Sequence, residues 1–289
     1  MDAAGKRVLM TGGNSGIGLV TATELAAQGA EVVIACRDSE KTRQALDLIN
    51  RSARIPAVNL PVELAYLDSV RSLAKRYLEA YDTLDILINN AGLFPPKQRF
   101  TDDGFEMQFG VNHLSHFLLT HLLLDHLKAS APARVITVSS VMHKRGRMDF
   151  ESFTGARKYS AQAAYAQSKL ANVLFAFELA QRLEGTGVTS NALHPGAVAT
   201  DIVRDLPWPI RKLLGVIFTT PENGARTTLM LAGNPAFENT TGAYFDQGER
   251  AGYSPLADDA ALRARLWSVS AELAGIGAAS LERAASASP

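Results

Sequence analysis

The sequence predicts a doubly wound α/β fold, in which helices cover both faces of one parallel sheet. Short β-branched runs alternate with amphipathic helical patterns through the first two-thirds of the chain. Several of the runs are apolar on both faces, which is typical of strands buried on both sides. A glycine-rich turn follows the first run. No repeat or linker divides the chain, so we expect one domain over residues 1–289.

The predicted strands share short length and β-branched content; they are Arg7–Met10, Glu31–Ala35, Leu64–Leu67, Leu84–Asn89, Arg134–Ser139 and Thr189–Leu193. The predicted helices between them are Gly18–Gln28, Ser39–Ile49, Ser69–Tyr81, Gly104–Leu127 and Ala163–Leu183. Residues 278–289 are rich in small side chains and are predicted to form a disordered tail.

Two stretches interrupt this alternation. Met142–Ala161 is a basic, irregular insertion, and residues 201–220 contain Pro207, Trp208 and Pro209. Ligands of α/β sheets bind beyond the carboxyl ends of strands, and both stretches follow such ends. We therefore expect both to be walls of a substrate site, with 201–220 acting as a lid. The alternative for 201–220 is a surface segment that faces a membrane or a partner.

Composition excludes several classes of protein. The 29 basic and 29 acidic residues cancel, so no overall field would recruit nucleic acid or an anionic membrane. The single cysteine, Cys36, excludes an internal disulfide and is expected to be a small buried hydrophobe. The first apolar run leads straight into the glycine-rich turn, and the apolar stretches are too short for a transmembrane segment. We expect a cytoplasmic protein.

The glycine-rich turn runs from Thr11 to Gly18, between the first strand and the first helix. A pyrophosphate can approach backbone N–H groups at a helix N-terminus there, because glycines remove the Cβ atoms that would obstruct it. This context predicts a Rossmann-type dinucleotide site. The predicted contacts in the turn are Gly12, Asn14, Ser15, Gly16, Ile17 and Gly18.

The end of the second strand bears on the choice of cofactor. The position where NAD-binding proteins usually carry a carboxylate is Cys36, and Arg37 follows it. A guanidinium matches the geometry of a 2′-phosphate, so NADP(H) is predicted over NAD(H). In the alternative interpretation Arg37 is solvated and Asp38 binds the ribose.

A phenol and an ammonium lie one helical turn apart at Tyr165 and Lys169. A nearby cation favours the phenolate and lowers the pKa of a tyrosine toward the range useful for proton transfer. Two further strand ends carry polar residues: Ser139-Ser140 and Asn89-Asn90-Ala91-Gly92. Asn112 interrupts an apolar helix, where a buried amide needs partners.

In this order the residues resemble the short-chain dehydrogenase/reductase family along roughly residues 6–250, and most closely its retinol-dehydrogenase-like members. The motifs that carry the resemblance are TGGNSGIG at 11–18, ACRD at 35–38, NNAG at 89–92, VNHLSHF at 111–117, VSS at 138–140, YAQSK at 165–169, HPGAVAT at 194–200, TPENGA at 220–225, TGAYF at 241–245 and LWSVSAEL at 266–273.

The resemblance implies a role for each matched residue. Tyr165 is the general acid of reduction, Ser140 hydrogen-bonds the substrate oxygen, and Lys169 holds the ribose and tunes Tyr165. Asn112 holds a proton-relay water. The implied cofactor contacts beyond the turn are Arg37, Asp68 at the end of the third strand, Asn90, Ala91, Gly92, Pro195, Gly196, Val198 and Thr200. The choice of Ser140 over Ser139 rests on family position, since the interval to Tyr165 is longer than in the commonest members.

These inferences predict hydride transfer between NADP(H) and a carbonyl or alcohol carbon of an apolar substrate that is retinal-, steroid- or polyketide-like. One alternative is a ring C=C reductase of protochlorophyllide-reductase type, and another is a catalytically idle dinucleotide-binding regulator. The family suggests a homodimer through the helices 104–127 and 163–183. Histidines 113, 116, 121 and 126 share one helix, but without accompanying carboxylates they predict no metal site.

Overall fold

The computed structural model describes residues 3–156, 158–196 and 220–277. Within the predicted lid, residues 201–219 therefore lie outside the described part, as do Val198, Thr200 and the predicted tail. The predicted insertion before the catalytic helix is described except for residue 157.

One eight-stranded sheet forms the centre of the molecule, with the strand order β3-β2-β1-β4-β5-β6-β7-β8. All neighbours pair in parallel except β7 and β8, which are antiparallel. This arrangement confirms the predicted doubly wound sheet. The strands are β1 Arg7–Thr11, β2 Glu31–Ala35, β3 Val58–Asn59, β4 Ile86–Asn89, β5 Ala133–Val138, β6 Val188–His194, β7 Tyr244–Asp246 and β8 Glu249–Arg250.

Helices cover both faces of the sheet. They are α1 Gly16–Gln28, α2 Glu40–Asn50, α3 Leu67–Ala80, α4 Met107–Phe109, α5 Ser115–Leu122, α6 Leu124–Ala129, α7 Ala161–Arg182, α8 Pro221–Gly233 and α9 Ala260–Leu273. Side chains of a strand alternate between faces, so β1 sends Leu9 into the core under α3, α5 and α7. Its neighbours Val8 and Met10 enter the second core, under α1 and α8.

The third predicted strand, Leu64–Leu67, was placed too late in the sequence. The paired segment is β3, and its ladder continues through hydrogen bonds from the N–H of Leu60 to Ile34 (2.9 Å) and from the N–H of Val62 to Cys36 (3.1 Å). Leu64 lies in a turn and Leu67 begins α3. Both leucines are buried. The apolar run therefore arises from a buried turn and a buried helix start, and not from a strand.

The predicted continuous helix 104–127 is also interrupted. After α4, residues Gly110–Leu114 form a π-helical turn, in which the N–H of Ser115 bonds the carbonyl of Gly110. A second break at Leu123 separates α5 from α6. The π-helical turn contains Asn112. Such turns are frequent at functional sites because they displace one backbone segment from regular helical packing.

The last described helix, α9, lies across α5 and α7. Trp267 packs its ring 4.9 Å from Phe117 and 6.0 Å from Phe175, and Ser270 hydrogen-bonds His113 at 2.9 Å. These two helices are the ones that the family resemblance assigned to subunit pairing. A second copy would have to displace α9 to pack on the part that it covers.

None of the helices in the described part of the chain combines the length and hydropathy that a bilayer crossing needs.

Candidate active site

The glycine-rich turn connects the end of β1 to the start of α1. Gly12 has φ +69° and Gly16 has φ +51°, which side-chain-bearing residues rarely adopt. A Cβ atom at Gly18 would lie 2.1 Å from the carbonyl oxygen of Gly12, so this position accepts only glycine. Ser15 precedes α1 without a side-chain cap, which leaves the N–H groups of the first turn for a ligand. The turn therefore fits a pyrophosphate.

Asn90 holds this turn in place. Its amide nitrogen donates to the carbonyl oxygens of Thr11 (2.8 Å) and Gly12 (3.2 Å). Asn14 is likewise engaged within the protein, because its amide donates to the hydroxyl of Thr42 in α2 at 2.8 Å. Its side chain thus joins the turn to α2.

The end of β4 brings the turn and the catalytic residues together. A Cβ atom at Gly12 would lie 3.0 Å from Cα of Ala91, and one at Gly92 would lie 3.3 Å from Nζ of Lys169. Glycines at both positions therefore let three separate segments approach one another. This is the crevice between β1 and β4, where the chain reverses its direction across the sheet.

Beyond β2 the site becomes open and charged. The side chain of Arg37 is 70% exposed and lies 3.7 Å from the carboxylate of Glu63. Asp38 pairs with Arg43 at 3.4 Å. A cleft of about 320 Å³ lies at this edge, lined by Arg37, Asp38, Pro61, Val62, Glu63, Ser69 and Arg76. Cys36 is buried, as predicted, and burial raises the pKa of its thiol to about 11.

The placement of Asp68 at a strand end is wrong. Asp68 lies in the first turn of α3, exposed, where it accepts from the hydroxyl of Tyr66 at 3.3 Å and pairs with Arg71 at 3.7 Å. The carboxylate that follows the third strand and borders the cleft is Glu63. The error follows from the misplaced strand, which shifted the expected strand end by several residues.

Tyr165 and Lys169 are buried on α7, with exposed fractions of 8% and 2%. Nζ of Lys169 lies 5.7 Å from the ring centroid of Tyr165 and donates to the carbonyl of Val138 at 3.1 Å. Burial lowers the pKa of Lys169 to about 8 and raises the pKa of Tyr165 to about 12. The group that opposes the rise at Tyr165 is the hydroxyl of Ser140, whereas the sequence hypothesis assigned that effect to Lys169.

The two consecutive serines after β5 have different partners. Ser139 donates to the carbonyl of Lys169 at 2.7 Å and is thereby committed to holding α7 against the sheet. Ser140 accepts the N–H of Met142 at 3.3 Å, which leaves its hydroxyl proton available to Tyr165 or to a substrate oxygen. The geometry supports Ser140 as the residue at the reacting centre.

Asn112 is completely buried and joins two segments of the site. Its amide oxygen accepts from the N–H of Leu93 at 2.8 Å, and its amide nitrogen donates to Ser168 at 3.0 Å. Leu93 follows the NNAG segment and Ser168 precedes Lys169, so Asn112 joins the end of β4 to α7.

From its position near a strand end, His143 is expected either to touch substrate or to be a packing residue, and the structure places it in contact with the same site. Its Nδ1 lies 2.6 Å from the carbonyl oxygen of Ser140, and its Nε2 lies 3.1 Å from the N–H of Ser254. A carbonyl only accepts and an N–H only donates, so the ring is neutral with its proton on Nδ1. The available signal was its position three residues after Ser140.

The extended insertion packs directly on the catalytic helix. A Cβ atom at Gly146 would lie 2.5 Å from the carbonyl oxygen of Ala166, so the backbone of the insertion touches α7. Phe153 stacks on Phe109 with 3.7 Å between ring centroids. The ring of Phe94 meets the ring of Tyr165 edge to face at 5.3 Å. The phenol therefore lies next to an apolar side chain.

Pro195 and Gly196 follow the end of β6 and are partly buried. Gly196 has φ +86°, a conformation that favours glycine. The remaining predicted contacts of this segment, Val198 and Thr200, lie outside the described residues.

Comparison with known proteins places this arrangement in a family. A family model described as short chain dehydrogenase matches residues 6–208. Retinol dehydrogenase 14 from Homo sapiens is 42% identical over 292 residues, which cover 94% of this chain and 87% of that protein. A crystal structure of an uncharacterized protein from Mycobacterium Paratuberculosis shares 36% identity and a TM-score of 0.76, covering 95% of each chain.

An active-site complex of Pseudomonas aeruginosa RhlG with NADP shares 29% identity and a TM-score of 0.70, covering 85% of this chain and 95% of that chain. The chain belongs to the short-chain dehydrogenase family of oxidoreductases. Within that family it is retinol-dehydrogenase-like, as its motifs indicated.

Proposed function

We propose that this protein is an NADPH-preferring oxidoreductase that interconverts a carbonyl and an alcohol on an apolar substrate. The observation that carries the proposal is the buried assembly of Tyr165, Lys169, Ser140 and Asn112 beside a glycine-rich turn that fits a pyrophosphate. A bound nicotinamide would supply the hydride for reduction or accept it for oxidation.

Tyr165 is the proton donor of reduction in this proposal. With its pKa raised to about 12, the phenol carries its proton at neutral pH and can deliver it to the oxygen of a carbonyl. Ser140 donates a hydrogen bond to the same oxygen, where negative charge develops in the transition state. The ring of Phe94 limits the access of water to the phenol.

Lys169 serves as a buried cation beside the phenol. Its Nζ uses one proton on the carbonyl of Val138, so further protons remain for a ribose hydroxyl. Gly92 gives this ammonium its room, since any side chain there would meet Nζ. Asn112 holds the end of β4 against α7, and so positions both segments.

The preference for NADPH rests on Arg37. Its guanidinium is exposed at the cleft beyond β2, where its ion-pair partner within the described part of the chain is Glu63 at 3.7 Å, and it can turn toward a 2′-phosphate. The NADP complex of RhlG supports the same class of cofactor.

Two observations support an apolar substrate: Phe94, Met142 and Leu93 lie next to catalytic residues, and the relatives are named retinol dehydrogenases. A ring C=C reductase remains the alternative enzyme, using the same tyrosine and lysine. An idle regulator is less consistent with four retained catalytic side chains, since binding alone requires none of the proton-transfer geometry.

The test is NADPH oxidation with a panel of aldehydes, ketones and quinones. Tyr165→Phe removes the transferable proton, so we expect kcat to fall by roughly 10²- to 10⁴-fold. NADPH affinity should stay within about twofold, because the phenol contributes chemistry rather than cofactor binding. Turnover that survives in Tyr165→Phe would contradict the proposed acid, and activity only on conjugated C=C bonds would favour the alternative enzyme.

A further inference from the structure

A continuous chain of buried hydrogen bonds runs from the glycine-rich turn to the catalytic helix. The hydroxyl of Thr11, the last residue of β1, lies 2.8 Å from Nε2 of His116. Nδ1 of His116 lies 3.1 Å from the backbone carbonyl of Asn112. The amide of Asn112 donates to Ser168, whose hydroxyl donates to the carbonyl of Tyr165 at 2.9 Å. Thr11, His116, Asn112 and Ser168 are all at most 1% exposed.

The direction of every bond at His116 follows from its partners. The hydroxyl of Thr11 accepts two N–H groups, those of Asn90 and Ala91, each at 3.0 Å. A hydroxyl has two acceptor positions and one proton, so the proton of Thr11 goes to Nε2. The carbonyl of Asn112 only accepts, so Nδ1 carries the ring proton.

The imidazole is therefore neutral and held in one tautomer. Burial lowers the pKa of His116 to about 4, so it stays in this form at neutral pH. The ring spans two segments that are 105 residues apart in sequence. Its position is also local to the site, since it lies on the turn of α5 that follows the π-helical segment.

We propose that His116 is a positioning residue that couples the cofactor-binding turn to the catalytic amide and phenol. The proposal rests on the proposed function for the identity of the cofactor. If Thr11 moves when NADPH binds to the turn, the rigid ring of His116 transmits that displacement to the carbonyl of Asn112. Conversely, loss of the ring leaves a buried hydroxyl and a buried carbonyl without that bond, and the direct connection between the two segments is lost.

The chain offers a matched control on the same helical segment. His113 is equally buried, at 1% exposure, but its Nε2 bonds Ser270 of α9 rather than the cofactor turn. His113→Phe therefore removes a buried imidazole of equal size without touching the proposed connection. Thr11→Ser keeps the hydroxyl and serves as the conservative variant at the other end.

The experiment is a double-mutant cycle on NADPH dissociation constants, measured on the full chain with Thr11→Val, His116→Phe and the double variant. We expect His116→Phe to weaken NADPH binding about tenfold, in the range usual for coupled sites. In the Thr11→Val background the same change should weaken binding by less than about twofold, because the shared bond is already gone. His113→Phe and Thr11→Ser should remain within about twofold of the unaltered protein.

The coupling would be overturned if His116→Phe weakened NADPH binding equally with Thr11 and with Val at position 11. It would also be overturned if His113→Phe weakened NADPH binding as much as His116→Phe. A second measurement requires neither a folded variant nor turnover. It records the nitrogen chemical shifts of the histidine imidazoles by NMR. They should show His116 as the neutral Nδ1–H tautomer from pH 5 to 8, and an Nε2–H tautomer or a charged ring would overturn the proposal. Retained turnover in Tyr165→Phe would reject the proposed acid and leave both of these results standing.

Discussion

The two ends of the candidate site differ in their exposure to water. At the chemical end, Tyr165, Lys169 and Asn112 are at least nine-tenths buried. Ser168 connects the amide of Asn112 to the carbonyl of Tyr165 by hydrogen bonds, and Lys169 donates to the carbonyl of Val138. At the other end, which we propose binds the adenosine and call the adenosine end, Arg37 and Glu63 have side chains that are 70% and 43% exposed, and they form a long ion pair.

This difference indicates which interactions of the site are already fixed before a ligand binds. Buried hydrogen bonds are costly to rearrange, so the chemical end is preorganised. Exposed ion pairs are weak and screened by salt, so the adenosine end can exchange partners when a phosphate arrives. Substitutions should therefore have large effects at the chemical end and small, ligand-specific effects at the adenosine end.

After that of Tyr165→Phe, the largest expected effect is at Ser140, and it sharpens the comparison at the chemical end. Ser140→Ala removes a donor to the developing oxyanion, so kcat should fall roughly 10²- to 10³-fold. Ser139→Ala is the control, since Ser139 only holds the carbonyl of Lys169 and its loss should mainly lower stability. Steady-state kinetics and urea unfolding of both variants separate the two roles. A larger loss of kcat in Ser139→Ala would exchange the assignment of the two serines.

The second prediction concerns the burial of Lys169. Its pKa in the folded protein is about 8, below the value of about 10.4 in an unfolded chain, so the unfolded state binds more protons between these values. The free energy of unfolding should therefore rise with pH across this window, by up to ~3 kcal/mol relative to Lys169→Met. Denaturant titrations of both proteins at several pH values measure this difference.

A difference that is constant from about pH 8 to 10.4 would show that burial does not lower the pKa of Lys169 in the folded protein. Lys75→Met, at an exposed lysine of α3, reports what removal of a surface charge does by itself.

The third prediction tests the adenosine end. Arg37→Ala should raise the Kd of NADPH about tenfold and change the Kd of NADH by less than twofold, because only NADPH carries the 2′-phosphate. Arg43→Ala should have a smaller effect, since that guanidinium is already held by Asp38 and Glu40 at 3.4 and 3.1 Å. Equal effects of Arg37→Ala on both cofactors would remove the assignment to NADPH.

The smallest effect is expected at the ion pair itself. Glu63→Gln should change the free energy of unfolding by less than about 0.5 kcal/mol, because both partners are exposed. Glutamine retains an acceptor for the N–H of Ala65, which Glu63 bonds at 3.2 Å. Urea unfolding checks this, and a loss above about 1 kcal/mol would break the contrast between the two ends.

The sequence predicts the sheet and most of the candidate site because both depend on local patterns. Tyr165 and Lys169 are one helical turn apart on any helix, and Gly12 and Gly18 follow a recognisable strand. Asp68 was misplaced because apolar residues at 64 and 67 read equally well as a strand or as a turn before a helix. The sequence around Asn112 could not reveal the π-helical turn, because the apolar pattern of the predicted helix continues through that turn.

Local sequence patterns could not predict contacts between segments that are distant in the sequence. His116 reads as one of several histidines on an apolar helix until β1 is seen to end beside it. The packing of α9 on α5 and α7 was equally unpredictable, because it depends on contacts between side chains distant in sequence, such as Trp267 with Phe117 and Phe175.

This late helix has a consequence for how the polypeptide is made. Chains emerge from the ribosome N-terminus first, so α5 and α7 are complete long before residues 260–273 are synthesised. Until then Phe117, Phe175 and the imidazole of His113 lack the cover that α9 provides, so we expect the nascent chain to expose this aromatic surface. A stop codon ahead of Ala260 would leave that surface permanently open, which makes aggregation the expected fate of the shortened product.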